Sequence, residues 1–308
     1  MIQDLLDQLA GIGSYCFTPG SIDAAQCFGS FGSIIWGPFC LIPLMLLTGM
    51  YLTIRLSGLQ LRKLGPSLRL ALLDRADDDA VGGDVSQFQA LTTALAATVG
   101  TGNIVGVATA ISIGGPGALF WMWVTGVFGM ASKYSEAFLG VRFRTTDAKG
   151  EISGGPQYYL QRGIPGGIGK FLALFFAVAA ALASFGIGNM TQGNSISSNV
   201  EGSFGIPLWI TGAVLAILTL AVLVGGIKSI AKVSAGFVPI MIVFYVVGAI
   251  WILIVNIVDV PAAIALIFTD AFSGTAAVGG FAGSALILAV QMGVARGAFS
   301  NESGMGSA

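Results

Sequence analysis

Seven apolar runs follow one another along this chain of 308 residues, at about 31–54, 87–113, 117–141, 170–195, 207–226, 234–257 and 281–306. A helix needs about 20 apolar residues to cross the hydrocarbon core of a bilayer. Inside lipid every backbone N–H and C=O must be satisfied within the segment, so helices are the form such runs take. Charged residues make up only 9% of the chain, against roughly 25% in a soluble domain. The mean hydropathy is +0.86. A water-facing surface cannot be built from so few charges. The chain therefore reads as an all-α polytopic membrane protein, a single transmembrane domain over 1–308.

The placement of Lys and Arg orients the spans. Thirteen of the 14 basic residues fall on one side of an alternating seven-span arrangement. Arg55, Arg62, Lys63, Arg69 and Arg75 follow the first run. Lys133, Arg142, Arg144, Lys149, Arg162 and Lys170 surround the end of the third, and Lys228 and Lys232 lie between the fifth and sixth. The opposite loops carry only acids: Asp4, Asp7, Asp23, Glu201, Asp259 and Asp270. The basic side is read as cytoplasm, with the N-terminus outside and the protein in a bacterial-type inner membrane. Residues 1–30 lack a basic n-region, so no cleaved signal peptide is expected. Residues 55–86 read as a cytoplasmic amphipathic segment whose acidic run, Asp77–Asp79, is most simply a solvated loop. Residues 258–272 read as a re-entrant or surface helix.

Several function classes drop out. A net charge of −1 gives no reason to expect nucleic acid as a partner, and the chain has no histidine, the commonest general base and metal ligand. Cys16, Cys27 and Cys40 lack metal-type spacing, and a Cys16–Cys27 disulfide is the less favoured reading. Neither an enzyme nor a cofactor is expected. A channel needs a polar stripe along several helices, whereas the polar residues here gather at one depth.

Two runs are interrupted by groups that suit lipid poorly. The second contains Thr98-Val99-Gly100-Thr101-Gly102-Asn103-Ile104-Val105-Gly106. Gly costs roughly 1 kcal/mol relative to Ala within a helix. Unwound backbone is tolerated at this depth only beside protein or a water-filled cavity. A break there frees carbonyls that suit a hard cation and N–H groups that suit a carboxylate. The plainer alternative is glycine-mediated packing, with Thr bonded back to its own helix. The last run contains Arg296-Gly297-Ala298-Phe299-Ser300-Asn301-Glu302-Ser303-Gly304-Met305-Gly306-Ser307. It reads as a second interrupted helix, or else as a span that ends at Gly297 with a polar loop beyond. Two interrupted segments separated by four intact ones point to a transporter site.

These two stretches, with Lys133-Tyr134-Ser135-Glu136, Gly154-Gly155-Pro156-Gln157-Tyr158-Tyr159 and Asn189-Met190-Thr191-Gln192-Gly193-Asn194-Ser195, resemble the signature motifs of the alanine or glycine:cation symporter family. The resemblance runs over most of the chain after about residue 31, with the motifs in order. It implies a LeuT-like fold of ten core helices in two inverted repeats. Residues 31–54 would be an extra helix and 87–306 core helices 1 to 6, the last incomplete. Helices 7 to 10 would lie beyond Ala308, so the chain is expected to be the C-terminally truncated, N-terminal part of a longer product that inserts without transporting. Gly100, Thr101, Gly102, Gln192, Asn194, Phe299 and Ser300 are implied as substrate-binding. Ala96, Thr98, Val99, Asn103 and Asn301 are implied as Na⁺ ligands. Ser303 stands where the family motif usually carries Ala.

The residues themselves favour Na⁺ over H⁺. Proton-coupled carriers need a titratable group inside the bundle, and no acid lies near the break in the second run. Proton coupling on the same fold is the alternative. Glu136 is read as structural, paired with Lys133 or a helix end, and Arg296 with Glu302 as a possible intramembrane pair. A Gly-rich lining with Phe299 as a wall suits a small neutral amino acid such as alanine or glycine.

Overall fold

The computed structural model describes residues 32, 34–37, 40–72, 83–146, 148, 150–273 and 282–307. Helix α1 (Leu41–Arg55) leads through the left-handed Gly58 into α2 (Leu59–Arg62) and α3 (Leu64–Leu72). The expected cytoplasmic segment is thus helical as far as Leu72. The acidic run Asp77–Asp79 and the cysteines Cys16 and Cys27 lie outside the described residues.

Helix α4 (Gln87–Thr98) opens on a capping box. The Gln89 N–H donates to Ser86 Oγ, and the Ser86 N–H donates to Gln89 Oε1. Two N–H groups that the first turn would orphan are thereby satisfied. The run then bends by 46° into α5 (Gly102–Gly114). Next come α6 (Gly117–Arg142) and a two-stranded ribbon pairing Thr145–Thr146 with Ile152–Ser153. Helix α7 (Pro156–Gly163) starts on a proline, whose missing N–H costs nothing there. Helix α8 (Gly167–Phe185) passes through a π-turn at Gly186–Met190 into α9 (Thr191–Phe204). Helices α10 (Leu208–Leu223), α11 (Gly226–Val255), α12 (Val260–Ser273) and α13 (Ala282–Asn301) complete the order.

The seven runs do not become seven full-length helices. Two described helices are long and apolar enough to cross a membrane, Gly167–Phe204 with 38 residues and α11 with 30. The bent α4–α5 pair makes a third if it is one span. Helices α1, α10 and α12 are apolar but shorter. Helix α6 has 26 residues, about 39 Å at 1.5 Å per residue, but carries Lys133, Glu136 and Arg142 towards its end. The fourth run overshoots to Phe204 because the polar stretch after Met190 stays helical. The two long helices keep only 6% of their apolar windows buried, with Phe244 and Trp251 of α11 largely exposed. A surface of that kind is solvated by lipid tails.

Small residues build the interior. Helix α13 packs chiefly on α6. A Cβ at Gly297 would stand 3.2 Å from Thr125 Cβ, and one at Gly114 of α5 would stand 2.9 Å from Met292 Cβ. Such close backbone approach replaces the hydrophobic drive that lipid does not supply. The expected surface helix, α12, docks by its C-terminal end onto the start of α6. The Gly117 N–H donates to buried Asp270 Oδ2 at 2.8 Å, and Trp121 Nε1–H donates to the Ala271 carbonyl at 3.1 Å. Phe120 meets Phe268 and Phe272 edge-on beside them.

Candidate functional site

The interruption between α4 and α5 is made by three residues. Val99 leaves the helical region (φ −89°, ψ 95°) while its N–H still bonds the Leu95 carbonyl. The chain re-enters the helix at Thr101 and continues as a π-turn over Gly102–Gly106. Asn103 bridges the interruption. Its Nδ2 donates to the Thr98 carbonyl at 2.6 Å, and its backbone N–H donates to the Gly100 carbonyl at 3.1 Å. Its Oδ1 accepts from Ser300 Oγ of α13. One side chain therefore ties both halves of the bent run to a third helix.

Two glycines let neighbours come close. A Cβ at Gly102 would lie 3.1 Å from Ser300 Cα and 3.4 Å from the Phe299 ring, and one at Gly100 would lie 3.2 Å from Gln192 Nε2. Gly100, Thr101, Gly102, Asn103, Gln192, Phe299 and Ser300 are thus gathered at one place. Thr101 Oγ1 is buried there with no hydrogen-bond partner among the described residues. Leaving a buried hydroxyl unpaired costs about 1–3 kcal/mol, which a ligand with a polar atom would recover.

Other expected site residues are placed differently. Asn194 is exposed. It follows Gln192 by two residues, about 200° around the helix, so it does not accompany Gln192 to the break. Thr98 Oγ1 bonds back to the Ala94 and Leu95 carbonyls at 3.2 and 3.3 Å, and its own carbonyl is taken by Asn103. Ala96 is exposed, while Val99 is half-buried at the bend. Asn301 Oδ1 accepts the Ser303 N–H at 2.9 Å, so it is engaged in the turn just beyond its own helix.

The second interruption also lies further along than expected. Helix α13 continues through Phe299, Ser300 and Asn301 and unwinds only afterwards, at Glu302 (φ 49°), Gly304 (φ 82°) and Gly306 (φ 75°). The turn from Arg296 to Asn301 stays helical because Gly297, Ala298 and Ser300 are buried in the packed interior. Arg296 and Glu302 form no ion pair among the described residues. The Glu302 carboxylate accepts from Ser307 Oγ at 2.7 Å instead. Glu136 meets Lys133 at 3.4 Å and also accepts the Gly304 N–H at 3.1 Å. Sequence reasoning missed the π-turn just before Gln192; Gly186 and Gly188 were the available signal.

Comparison with known proteins is consistent along nearly the whole chain. The model of the sodium:alanine symporter family matches residues 22–308. A sodium/alanine symporter, AgcS, of Methanococcus maripaludis is 50% identical over 93% of the chain and 62% of its own length. An uncharacterized transporter of Haemophilus influenzae is 47% identical over 90% of the chain and 59% of its own. A probable sodium/glutamine symporter, GlnT, of Bacillus subtilis is 39% identical over 91% of the chain and 56% of its own. The chain thus spans a little over half the length of these relatives.

Proposed function

The chain belongs to the sodium:alanine symporter family, which comprises transporters and not enzymes, and from that premise we propose that it serves sodium-coupled symport of a small neutral amino acid, alanine or glycine, into the cell. Membership carries cation-coupled amino-acid symport in a membrane. The substrate, the ion and the LeuT-like arrangement are our reading. The observation behind it is the buried, unpartnered Thr101 hydroxyl, set between the glycines of a bent helix and beside Gln192 and Ser300. A zwitterion would place its carboxylate at the N–H groups that begin α5, where the helix dipole favours negative charge. Its ammonium would meet carbonyls and the Gln192 amide. Neutral oxygens at the bend, with the Val99 carbonyl turned out of the helix, suit Na⁺.

The test is binding of labelled alanine by the purified protein, with and without Na⁺. Binding should need Na⁺ and be displaced by glycine. Displacement by glutamine instead would move the substrate towards that named for the Bacillus relative. Gln192→Ala should weaken binding about tenfold, the loss of one hydrogen bond to a charged group at roughly 1.5 kcal/mol. Asn194→Ala should leave binding within about twofold, since that side chain is exposed away from the break. Equal losses from both substitutions, or binding indifferent to Na⁺, would sink the reading.

We place the N-terminus outside on the Lys and Arg distribution. Reporter fusions after Asp79 and Lys149 should report cytoplasm, and one after Asp270 should report the opposite face. An external signal at Asp79 would refute this topology.

A further inference from the structure

We propose that Glu136 is a positioning residue for the break, its carboxylate bonded to the Gly304 N–H in a way that sets the unwound segment 302–307 and, through it, the height of Ser300 against Asn103. The proposal rests on the reading of the break as the ligand site. It starts from the backbone beyond α13. Glu302, Gly304 and Gly306 all have positive φ, at 49°, 82° and 75°. Alternating left- and right-handed residues turn successive N–H groups to one side and form a concavity that takes an anion. The anion here is internal. Glu136 Oε2 accepts the Gly304 N–H at 3.1 Å. The other oxygen, Oε1, meets Lys133 at 3.4 Å.

Packing holds the segment on one side as well. A Cβ at Gly306 would stand 2.6 Å from Pro156 Cγ of α7 and 3.0 Å from the Phe176 ring of α8, and one at Gly129 of α6 would stand 3.2 Å from Ser303 Oγ. Burial first, and then the nearby Glu136 carboxylate, push the Tyr159 phenol of α7 above its ordinary pKa. Ser300, which donates to Asn103, lies one helical turn before Gly304. A charge-assisted bond to Gly304 therefore fixes the end of the helix that closes the break. Lys133, one helical turn before Glu136, meets the carboxylate through Oε1.

The test reads the segment directly. Ser303 is buried, so a thiol at Ser303→Cys, with Cys16, Cys27 and Cys40 replaced by Ala, should be shielded from a water-soluble maleimide. Adding Glu136→Gln, which keeps volume but loses charge, should speed labelling at least tenfold and raise the half-saturating alanine concentration about tenfold. Lys133→Met should change labelling less than about twofold. Unaltered labelling in Glu136→Gln overturns the proposal. So does an equal effect from Lys133→Met, which would reduce Glu136 to one half of a structural ion pair. If Glu136→Gln does not yield a single species by gel filtration, Glu136→Asp decides in its place. It withdraws the carboxylate by one methylene and should accelerate labelling by a smaller factor, no acceleration again overturning the proposal. Labelling needs no substrate, so a parent protein that fails to bind alanine would sink the functional reading while labelling still decided the role of Glu136.

Discussion

Asn103→Ala is expected to raise the Na⁺ concentration that half-saturates alanine binding by about thirtyfold. The truncation removes two side-chain hydrogen bonds at once. One leaves the Thr98 carbonyl without its donor at 2.6 Å, and the other leaves the buried Ser300 hydroxyl without its acceptor. Leaving the buried Ser300 hydroxyl unpaired costs roughly 1–3 kcal/mol, and the half-buried Thr98 carbonyl adds to it, so a combined loss of about 2 kcal/mol is expected. Folding should suffer less than binding, because the bent pair is also packed through Gly102 and Gly114. A sodium titration of alanine binding checks it. An unchanged midpoint would leave Asn103 as an interhelical contact of about 0.6 kcal/mol.

Gly117→Ala should produce a large loss of stability from a single added methyl group. A Cβ at this position would stand 2.5 Å from the Ala271 backbone nitrogen and 2.6 Å from its Cα. The obstacle is backbone, so no rotamer change relieves it, and α12 must separate from α6. Overpacking of this kind costs about 1–3 kcal/mol. Separation would also cost buried Asp270 its bond from the Gly117 N–H at 2.8 Å, which adds to the loss. The melting temperature in detergent is expected to fall by about 5–10 °C. Gly126→Ala is the control on the same helix. Nothing lies within 4 Å of a Cβ there, and Ala favours helix over Gly by about 1 kcal/mol, so stability should hold or rise. Equal behaviour of the two variants would contradict the docking of α12 on α6.

Composition and pattern determined much of this protein. Apolar runs with few charges dictated helices that face lipid, since unpaired backbone cannot persist in hydrocarbon. Gly100-Thr101-Gly102 marked the bend, because two glycines flanking a hydroxyl weaken the helix where its neighbours are otherwise apolar. Gln192 was legible as a polar amide too costly to leave facing lipid. Asn194 looked the same on that criterion. The π-turn at Gly186–Met190 and the rotation of α9 put only Gln192 against Gly100, and no local pattern encodes that choice. The polar stretch from Arg296 to Ser307 read as an interrupted helix, and the family resemblance put the break at Phe299, Ser300 and Asn301. Tertiary packing overrode the reading, because burial of Gly297, Ala298 and Ser300 holds the turn helical and defers unwinding to Glu302. The same packing decided partners. Glu302 lay near Arg296 in sequence yet bonds Ser307, while Glu136 crosses from α6 to the Gly304 N–H. Periodicity and composition report what each segment must hide, and hence which elements form. Which polar atom meets which depends on helix rotation and on backbone approach across 150 or more residues, as between Gly117 and Asp270, and only the assembled structure sets those.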